Sequence, residues 1–190
     1  MAGGRGSRLG GRKAGAELGG RPLASHPVAA LRKAGLEAAV YAKPGQELPE
    51  LGAPVRCEPA QPRHPLCGIV AALRDCAATR RPLVVVACDL PFVAPALLAA
   101  LAAAPEPLVV ASLGGRPQPL LGRYEPGLLP ALEAALAAEE PLTGTVAALG
   151  PRLLDERELA AFGDPGRILF NVNDEADLRQ ARKTLLMGDC

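Results

Sequence analysis

The sequence predicts an α/β fold in which helices cover both faces of a mostly parallel sheet. Two apolar runs, residues 82–88 (PLVVVAC) and 107–111 (PLVVA), have the β-branched composition of strands buried on both faces. Helix-like segments alternate with these and other strand-like runs, as is typical of parallel sheets. With 190 residues and a hydrophobic content of 49%, the chain is expected to form a single domain around one core.

Periodicity and the placement of Gly and Pro predict the remaining elements. Further extended segments are expected at residues 37–42, 54–57, 116–124 and 167–171. Helices are expected at residues 22–34, 67–78, 94–101, 126–138, 143–149 and 174–186. Gly35 should stop the first helix, and Asp174 should cap the last one.

Composition and charge exclude several function classes. The 21 basic and 20 acidic residues leave a net charge of +1, so the chain has no overall field for a nucleic acid or an anionic membrane. Only 3% of the residues are aromatic, which argues against a surface that stacks bases. The five cysteines are odd in number and lack C-x-x-C spacing, so reduced thiols in a cytoplasmic protein are expected.

The strongest chemical motif is the glycine-rich, basic segment at residues 2–13 (AGGRGSRLGGRK). Glycines allow backbone N–H groups to approach phosphate oxygens closely. Arg8 can offer a planar fork of donors and Lys13 a point charge, so the segment can bind a triphosphate. The segment is neither a Walker A loop nor a G-x-G-x-x-G fingerprint, and a flexible basic tail is the alternative interpretation.

Asp89 follows the apolar run of residues 82–88 within the sequence C-D-L-P-F. A carboxylate at the carboxyl end of a central strand lies where open α/β sheets bind ligands. Mg²⁺ commonly uses one or two carboxylates and completes its shell with phosphate oxygens and water. A turn or helix-cap aspartate is the competing interpretation.

Three other segments are candidates for substrate contact. Residues 64–69 (HPLCGI) precede a predicted helix, Gln118 stands between two prolines, and Asn171 and Asn173 belong to the sequence N-V-N-D. Each segment also has an ordinary structural interpretation as a loop, an edge strand or a turn.

In this order, the motifs A-G-G-x-x-x-R-x-G-x-x-K, C-D-L-P-F, Q-P-L and N-V-N-D resemble those of the molybdenum cofactor guanylyltransferases. That family belongs to the nucleotidyltransferases. The resemblance implies a three-layer Rossmann-like nucleotidyltransferase fold with a mostly parallel central sheet. It also implies a reaction, in which GMP passes from Mg-GTP to the phosphate of molybdopterin. Molybdopterin guanine dinucleotide forms and pyrophosphate leaves.

The resemblance also implies roles for individual residues. Arg8, Lys13 and Asp89 would be catalytic, and Asp89 would hold Mg²⁺. The residues implied in nucleotide and substrate binding are Met1, Ala2, Gly3, Gly4, Lys13, Glu58, Gly68, Asp89, Gln118, Asn171 and Asn173. The sequence departs from the family pattern at Arg12, at His64 and at Lys43, where an acid, a glycine and an asparagine are usual.

Members of this class run a buried strand directly into the glycine-rich loop, whereas here the loop begins at Met1. The first strand is therefore expected to be missing from this sequence through N-terminal truncation. Burial of about four aliphatic side chains in such a strand would contribute roughly 6–12 kcal/mol gross.

The resemblance implies GTP and molybdopterin as substrates, with no nucleic acid or membrane as partner. A monomer or weak homo-oligomer is expected, with transient contact to molybdoenzyme maturation proteins. Two alternatives stay open. One is a related transferase that uses CTP or another acceptor, such as a sugar phosphate or phospholactate. The other is a nucleotide-binding accessory protein without turnover.

Overall fold

The computed structural model describes residues 13–77 and 79–187 of the chain. The first half of this part contains five strands and three helices: β1 (Glu17–Leu18), β2 (Arg21–Pro22), α1 (Ser25–Lys33), β3 (Val40–Ala42), β4 (Val55–Cys57), α2 (Leu66–Ala77), β5 (Leu83–Val86) and α3 (Pro95–Ala103). The second half contains β6 (Leu108–Leu113), β7 (Arg116–Tyr124), α4 (Leu129–Ala137), α5 (Leu142–Ala148), β8 (Arg152–Leu154), α6 (Glu156–Leu159), α7 (Pro165–Ile168) and α8 (Glu175–Met187).

The main sheet has four strands in the order β5-β7-β6-β8. Strand β7 is antiparallel to both β5 and β6, and β8 is parallel to β6. Strands β5, β6 and β8 therefore run in one direction, which confirms the prediction of a mostly parallel sheet. Strands β3 and β4 form a separate parallel pair, and α2 contacts both β3 and β5.

Alternating side chains of the main sheet divide the core into two apolar layers. Val109 and Ala111 face one cluster, in which α3 supplies Leu97, Leu98 and Leu101. The intervening residues of β6, Leu108 and Val110, face the other cluster, to which α2 and α4 contribute. Because successive strand residues point to opposite faces, this pattern buries both faces of the sheet between helices and gives the three layers of the predicted fold.

Strands β6 and β7 approach each other closely at Gly122. A Cβ atom at this position would lie 2.6 Å from the Val109 carbonyl oxygen and 2.7 Å from Cγ1 of Val110. Glycine is therefore required here by the lack of space between the strands.

Most predicted elements are confirmed to within a few residues, and the extended segment 116–124 has the bounds of β7. The strand predicted at residues 167–171 is wrong, because α7 (Pro165–Ile168) lies there. The Asp164 carboxylate accepts a hydrogen bond from the Arg167 N–H at 2.7 Å, and Pro165 occupies the first turn. This cap and proline favour a short helix over a strand.

The prediction of a missing first strand falls outside the residues that the structure describes. In the described part of the chain, no helix is both long and apolar enough to cross a membrane.

Candidate active site

Asp89 lies just beyond the carboxyl end of β5, after the buried residues Ala87 and Cys88. The Ala87 N–H donates to the Leu120 carbonyl oxygen at 2.8 Å and extends the pairing of β5 with β7. Asp89 itself is half-buried beyond this last hydrogen bond. Ligands of open α/β sheets bind at this edge, so the carboxylate stands where a cation or a phosphate-bound metal would be needed.

The loop of residues 170–174, called the asparagine loop below, packs against Asp89. The Val172 N–H donates to the Asp89 carbonyl oxygen at 3.0 Å, and the Val172 side chain is fully buried. Its neighbours Asn171 and Asn173 are exposed. The Asp177 carboxylate accepts from the Asn173 N–H at 2.8 Å, which fixes the loop to α8. The fold thus brings both asparagines to the segment that contains Asp89.

Gln118 lies at the same edge of the main sheet as Asp89. Because β7 runs antiparallel to β5, the first residues of β7 lie beside the carboxyl end of β5. Gln118 belongs to this part of β7 and is opposite Ala111 of β6. Its side chain is half-buried, and its Nε2 donates to the Arg116 carbonyl oxygen at 3.4 Å.

The backbone of Lys13 begins a short 3₁₀ turn, Lys13–Gly15, that lies near the same edge. Ala14 is 4% exposed and shares an apolar cluster with Ala42 of β3 and with Cys88. The residue after Lys13 and the residue before Asp89 therefore belong to one cluster. Five predicted site residues lie outside the described part of the chain: the binding residues Met1, Ala2, Gly3 and Gly4 and the catalytic residue Arg8.

Lys43 and Glu58 follow the parallel strands β3 and β4 and form an ion pair. The Lys43 Nζ atom lies 3.6 Å from Oε1 of Glu58, which is 4% exposed. Lys43 also donates to the Pro59 carbonyl oxygen at 2.6 Å and to the Pro62 carbonyl oxygen at 3.0 Å. Burial raises the pKa of Glu58, and the Lys43 charge acts in the opposite direction. Lys43 thus joins Glu58 to the loop that follows it.

The same loop leads into α2, whose first turn contains the buried Gly68. The Pro62 carbonyl oxygen accepts a second hydrogen bond, from the Cys67 thiol at 3.0 Å. Nδ1 of His64 accepts from the Leu66 N–H at 3.2 Å and so ends the loop with a helix cap. Glu58 and Gly68 therefore lie at the two ends of one hydrogen-bonded segment.

The described residues provide few candidate metal ligands. Within residues 13–77 and 79–187, no group of three or more His, Cys, Asp and Glu side chains is suited to hold a metal ion. Asp89, Asn171 and Asn173 supply oxygen atoms, which Mg²⁺ prefers, and this ion needs only one or two protein carboxylates when phosphates complete its shell. The residues present therefore fit a magnesium ion that binds together with a triphosphate, rather than a site built by the protein alone.

Four cysteines of the described part of the chain form no disulfide: Cys57, Cys67, Cys76 and Cys88.

A stacked arginine beside the Asp89 segment was not predicted from the sequence. The guanidinium carbon of Arg167 lies 5.2 Å from the centroid of the Phe92 ring. The rings of Phe92 and Phe170 are 6.2 Å apart with an interplanar angle of 50°. The Asp164-Pro165 pair was the signal in the sequence, since it starts the short helix that positions Arg167.

Solved structures and curated proteins give a consistent comparison with this chain. A structure of molybdopterin-guanine dinucleotide biosynthesis protein A from Archaeoglobus fulgidus matches with a TM-score of 0.81 and 24% identity, over 98% of this chain and 96% of that one. A 2-C-methyl-D-erythritol 4-phosphate cytidylyltransferase from Thermus thermophilus matches with a TM-score of 0.65 and 24% identity, over 93% and 95% of the two chains. These two likenesses establish the nucleotidyltransferase fold.

Two curated relatives are similar in sequence over nearly the whole chain. The molybdenum cofactor guanylyltransferase of Cereibacter sphaeroides is 35% identical over 189 residues, which cover 97% of this chain and 94% of the relative. The probable molybdenum cofactor guanylyltransferase of Pelotomaculum thermopropionicum is 31% identical over 185 residues, which cover 96% and 89%. The family described as MobA-like NTP transferase domain matches residues 1–153. The chain therefore belongs to the MobA-like NTP transferase family and is a nucleotidyltransferase.

Proposed function

We propose that this nucleotidyltransferase transfers GMP from GTP to the phosphate of molybdopterin, with release of pyrophosphate. The observation that carries the proposal is the hydrogen bond from the Val172 N–H to the Asp89 carbonyl oxygen at 3.0 Å. It places the asparagine loop against the segment with the candidate metal ligand at the ligand-binding edge of the sheet. The relatives named as guanylyltransferases, at 31% and 35% identity, support guanine as the base.

The proposed reaction needs no strong general base, because the attacking group is already an anionic phosphate. An oxygen of the acceptor phosphate forms a bond to the α-phosphorus of GTP while the bond to the pyrophosphate oxygen breaks. Bound at Asp89, Mg²⁺ would offset the charge of the triphosphate. The protein mainly positions the two reactants and offsets their charge.

Different groups of the protein are assigned to the triphosphate, to the base or ribose, and to the reacting phosphates. Arg8 and Lys13 bind the triphosphate, together with the backbone of Met1, Ala2, Gly3 and Gly4. Glu58 and Gly68, which lie at the two ends of the loop fixed by Lys43, contact the base or ribose. Gln118, Asn171 and Asn173 border the reacting phosphates.

We further propose that residues 1–190 form one nucleotidyltransferase domain, since α2 contacts both β3 and β5 and so joins the two sheets. The protein would act in the cytoplasm, where its thiols stay reduced, as a monomer or weak homo-oligomer.

A second candidate function differs in the base of the nucleotide that is transferred. Lys43 occupies a position where the family pattern has an asparagine, and it pairs with Glu58 on the base side of the proposed site. A cytidylyltransferase also shares the fold. Transfer of CMP is therefore the alternative that the test must separate from transfer of GMP.

The test is incubation of the purified chain with molybdopterin, Mg²⁺ and either GTP or CTP, with pyrophosphate and dinucleotide measured in each reaction. We expect equal amounts of both products with GTP and little product with CTP. Turnover of CTP with no turnover of GTP would overturn the assignment.

The variant Asp89→Asn separates an enzyme from a binding protein without turnover. We expect it to lose at least about 100-fold in turnover, since the carboxylate that would hold the charge-offsetting Mg²⁺ is removed. Asp155→Asn is the matched control, because Asp155 caps α6 and an asparagine keeps that cap. A wild-type chain that binds GTP but releases no pyrophosphate would contradict the proposal.

A further inference from the structure

Some arginines of the described chain are paired with carboxylates, and Arg167 is among those that are not. Arg56, Arg74, Arg81, Arg123 and Arg152 each form an ion pair with a carboxylate. Arg167 is exposed and takes part in none of the ion pairs among residues 13–77 and 79–187. Its charge is therefore not neutralised by a described carboxylate.

The side chain is nevertheless held in place. Its guanidinium carbon lies 5.2 Å from the centroid of the Phe92 ring, and its backbone N–H is fixed by the Asp164 carboxylate at 2.7 Å. A guanidinium that lies over an aromatic ring keeps the N–H groups at its edge available. Planar, bidentate binding of a phosphate uses these N–H groups. Arg167 is thus a preorganised cation whose edge can bind an anion.

The stack is built on the two segments that form the candidate active site. Phe92 follows Asp89 by three positions, and Phe170 precedes Asn171 directly. The hydrogen bond from the Val172 N–H to the Asp89 carbonyl oxygen joins these segments. Arg167 therefore stands beside the asparagine loop, at the edge of the sheet where the reacting phosphates would bind.

Two different apolar clusters support the two sides of Asp89. Cys88, just before Asp89, packs with Ala14 and Ala42, next to Lys13 and Lys43. Phe92, after Asp89, packs against the cluster that contains Val172. Lys13 and Lys43 are therefore next to one cluster, whereas Arg167, through Phe92, is next to another.

We propose that Arg167, stacked on Phe92, binds the phosphate of the acceptor rather than the triphosphate of the nucleotide. This inference rests on the proposed transfer to an acceptor phosphate and assigns the residue that selects a phosphorylated acceptor. The role requires both the charge of Arg167 and its position over the Phe92 ring.

The test compares KM values for molybdopterin and for GTP in Arg167→Gln, Arg167→Lys and Phe92→Leu. We expect Arg167→Gln to raise the KM for molybdopterin about tenfold or more, because a charge-assisted bidentate contact is lost. The KM for GTP should stay within about twofold of its original value, given that no contact to the triphosphate is removed. Arg167→Lys and Phe92→Leu should have intermediate effects, since each removes the stack and leaves a positive charge.

Arg157→Gln is the matched control, because Arg157 is also an exposed arginine on a short helix, α6, and takes part in none of the described ion pairs. It should leave both KM values unchanged. If the wild-type chain transfers GMP, either of two results would overturn the inference: an unchanged KM for molybdopterin in Arg167→Gln, or equal rises in both KM values. A wild-type chain without any GMP transfer would instead overturn the proposed function and this assignment together.

Discussion

Two cations near the carboxyl ends of the strands differ in whether groups of the same chain neutralise their charge. Lys43 is bound by the Glu58 carboxylate and by two carbonyl oxygens, of Pro59 and Pro62. Arg167 lies over the Phe92 ring and forms no ion pair within residues 13–77 and 79–187. A charge that is satisfied internally contributes to the stability of its loop, whereas a charge that is oriented but not neutralised is available for a ligand.

The largest expected effect on stability is that of Lys43→Met. Removal of the ammonium leaves the buried Glu58 carboxylate without its cation and two carbonyl oxygens without their donor. We expect the free energy of unfolding to fall by about 3 kcal/mol. Denaturant unfolding at pH 8 measures this change. Lys33→Met, at an exposed position in the last turn of α1, is the control and should change stability by less than about 0.5 kcal/mol.

Gly122→Ala is expected to weaken the main sheet without changing the binding of either substrate. The added Cβ would lie 2.6 Å from the Val109 carbonyl oxygen, so β6 and β7 must move apart. We expect a loss of about 2 kcal/mol, with the KM values for GTP and molybdopterin unchanged at a temperature where the variant is folded. Gly144→Ala, where a Cβ meets nothing within 4 Å, should not destabilise. Equal stability of the two variants would show that the strands can separate freely.

The pH dependence of stability tests whether Lys43 stabilises the fold through its charge. Burial raises the pKa of Glu58, so the folded chain binds this proton more tightly than the unfolded chain. The contribution of Glu58 to stability therefore falls as the pH rises above 4.5, its ordinary pKa. Lys43→Met should raise this pKa further. Its destabilisation should then be greater at pH 8 than at pH 5, by about 1.4 kcal/mol for each further unit of pKa. Equal destabilisation at both values of pH would exclude an electrostatic role for Lys43.

Much of the fold could be predicted because its signals are local. The apolar residues of β5 and the prolines around Gln118 mark strands within a few positions. The three residues of β8 are too few to show a period, and β8 was not predicted. The segment RILFN suits a strand by composition, but Asp164 and Pro165 before it start a helix.

The candidate site was only partly accessible from the sequence. Asp89 could be singled out because it directly follows an apolar strand. The hydrogen bond that joins it to Val172 depends on the folded chain, since these residues are far apart in sequence. The same is true of Lys43, whose acceptors at Pro59 and Pro62 come close only when the loop before α2 folds.

The smallest expected effect is that of Asp164→Ala, which removes the cap of α7 and the hydrogen bond that holds the Arg167 N–H. We expect a loss of about 1 kcal/mol in stability together with a higher KM for molybdopterin. Asp155→Ala is the matched control, because the Asp155 carboxylate caps α6 by accepting hydrogen bonds from the N–H groups of Arg157 and Glu158. It should have a similar effect on stability and none on KM. A rise in the KM for molybdopterin in both variants would mean that the loss of any cap loosens the site.

The assignment of the loop held by Lys43 to the nucleotide, and of Arg167 to the acceptor, is tested most directly by one set of KM measurements. The KM for GTP and the KM for molybdopterin are determined in Lys43→Met and Arg167→Gln under conditions where both variants are folded. We expect a crossed result, in which Lys43→Met raises mainly the KM for GTP and Arg167→Gln raises mainly the KM for molybdopterin. If both variants raised the same KM, the Lys43 loop and Arg167 would serve one substrate, and their assignment to two different substrates would be wrong.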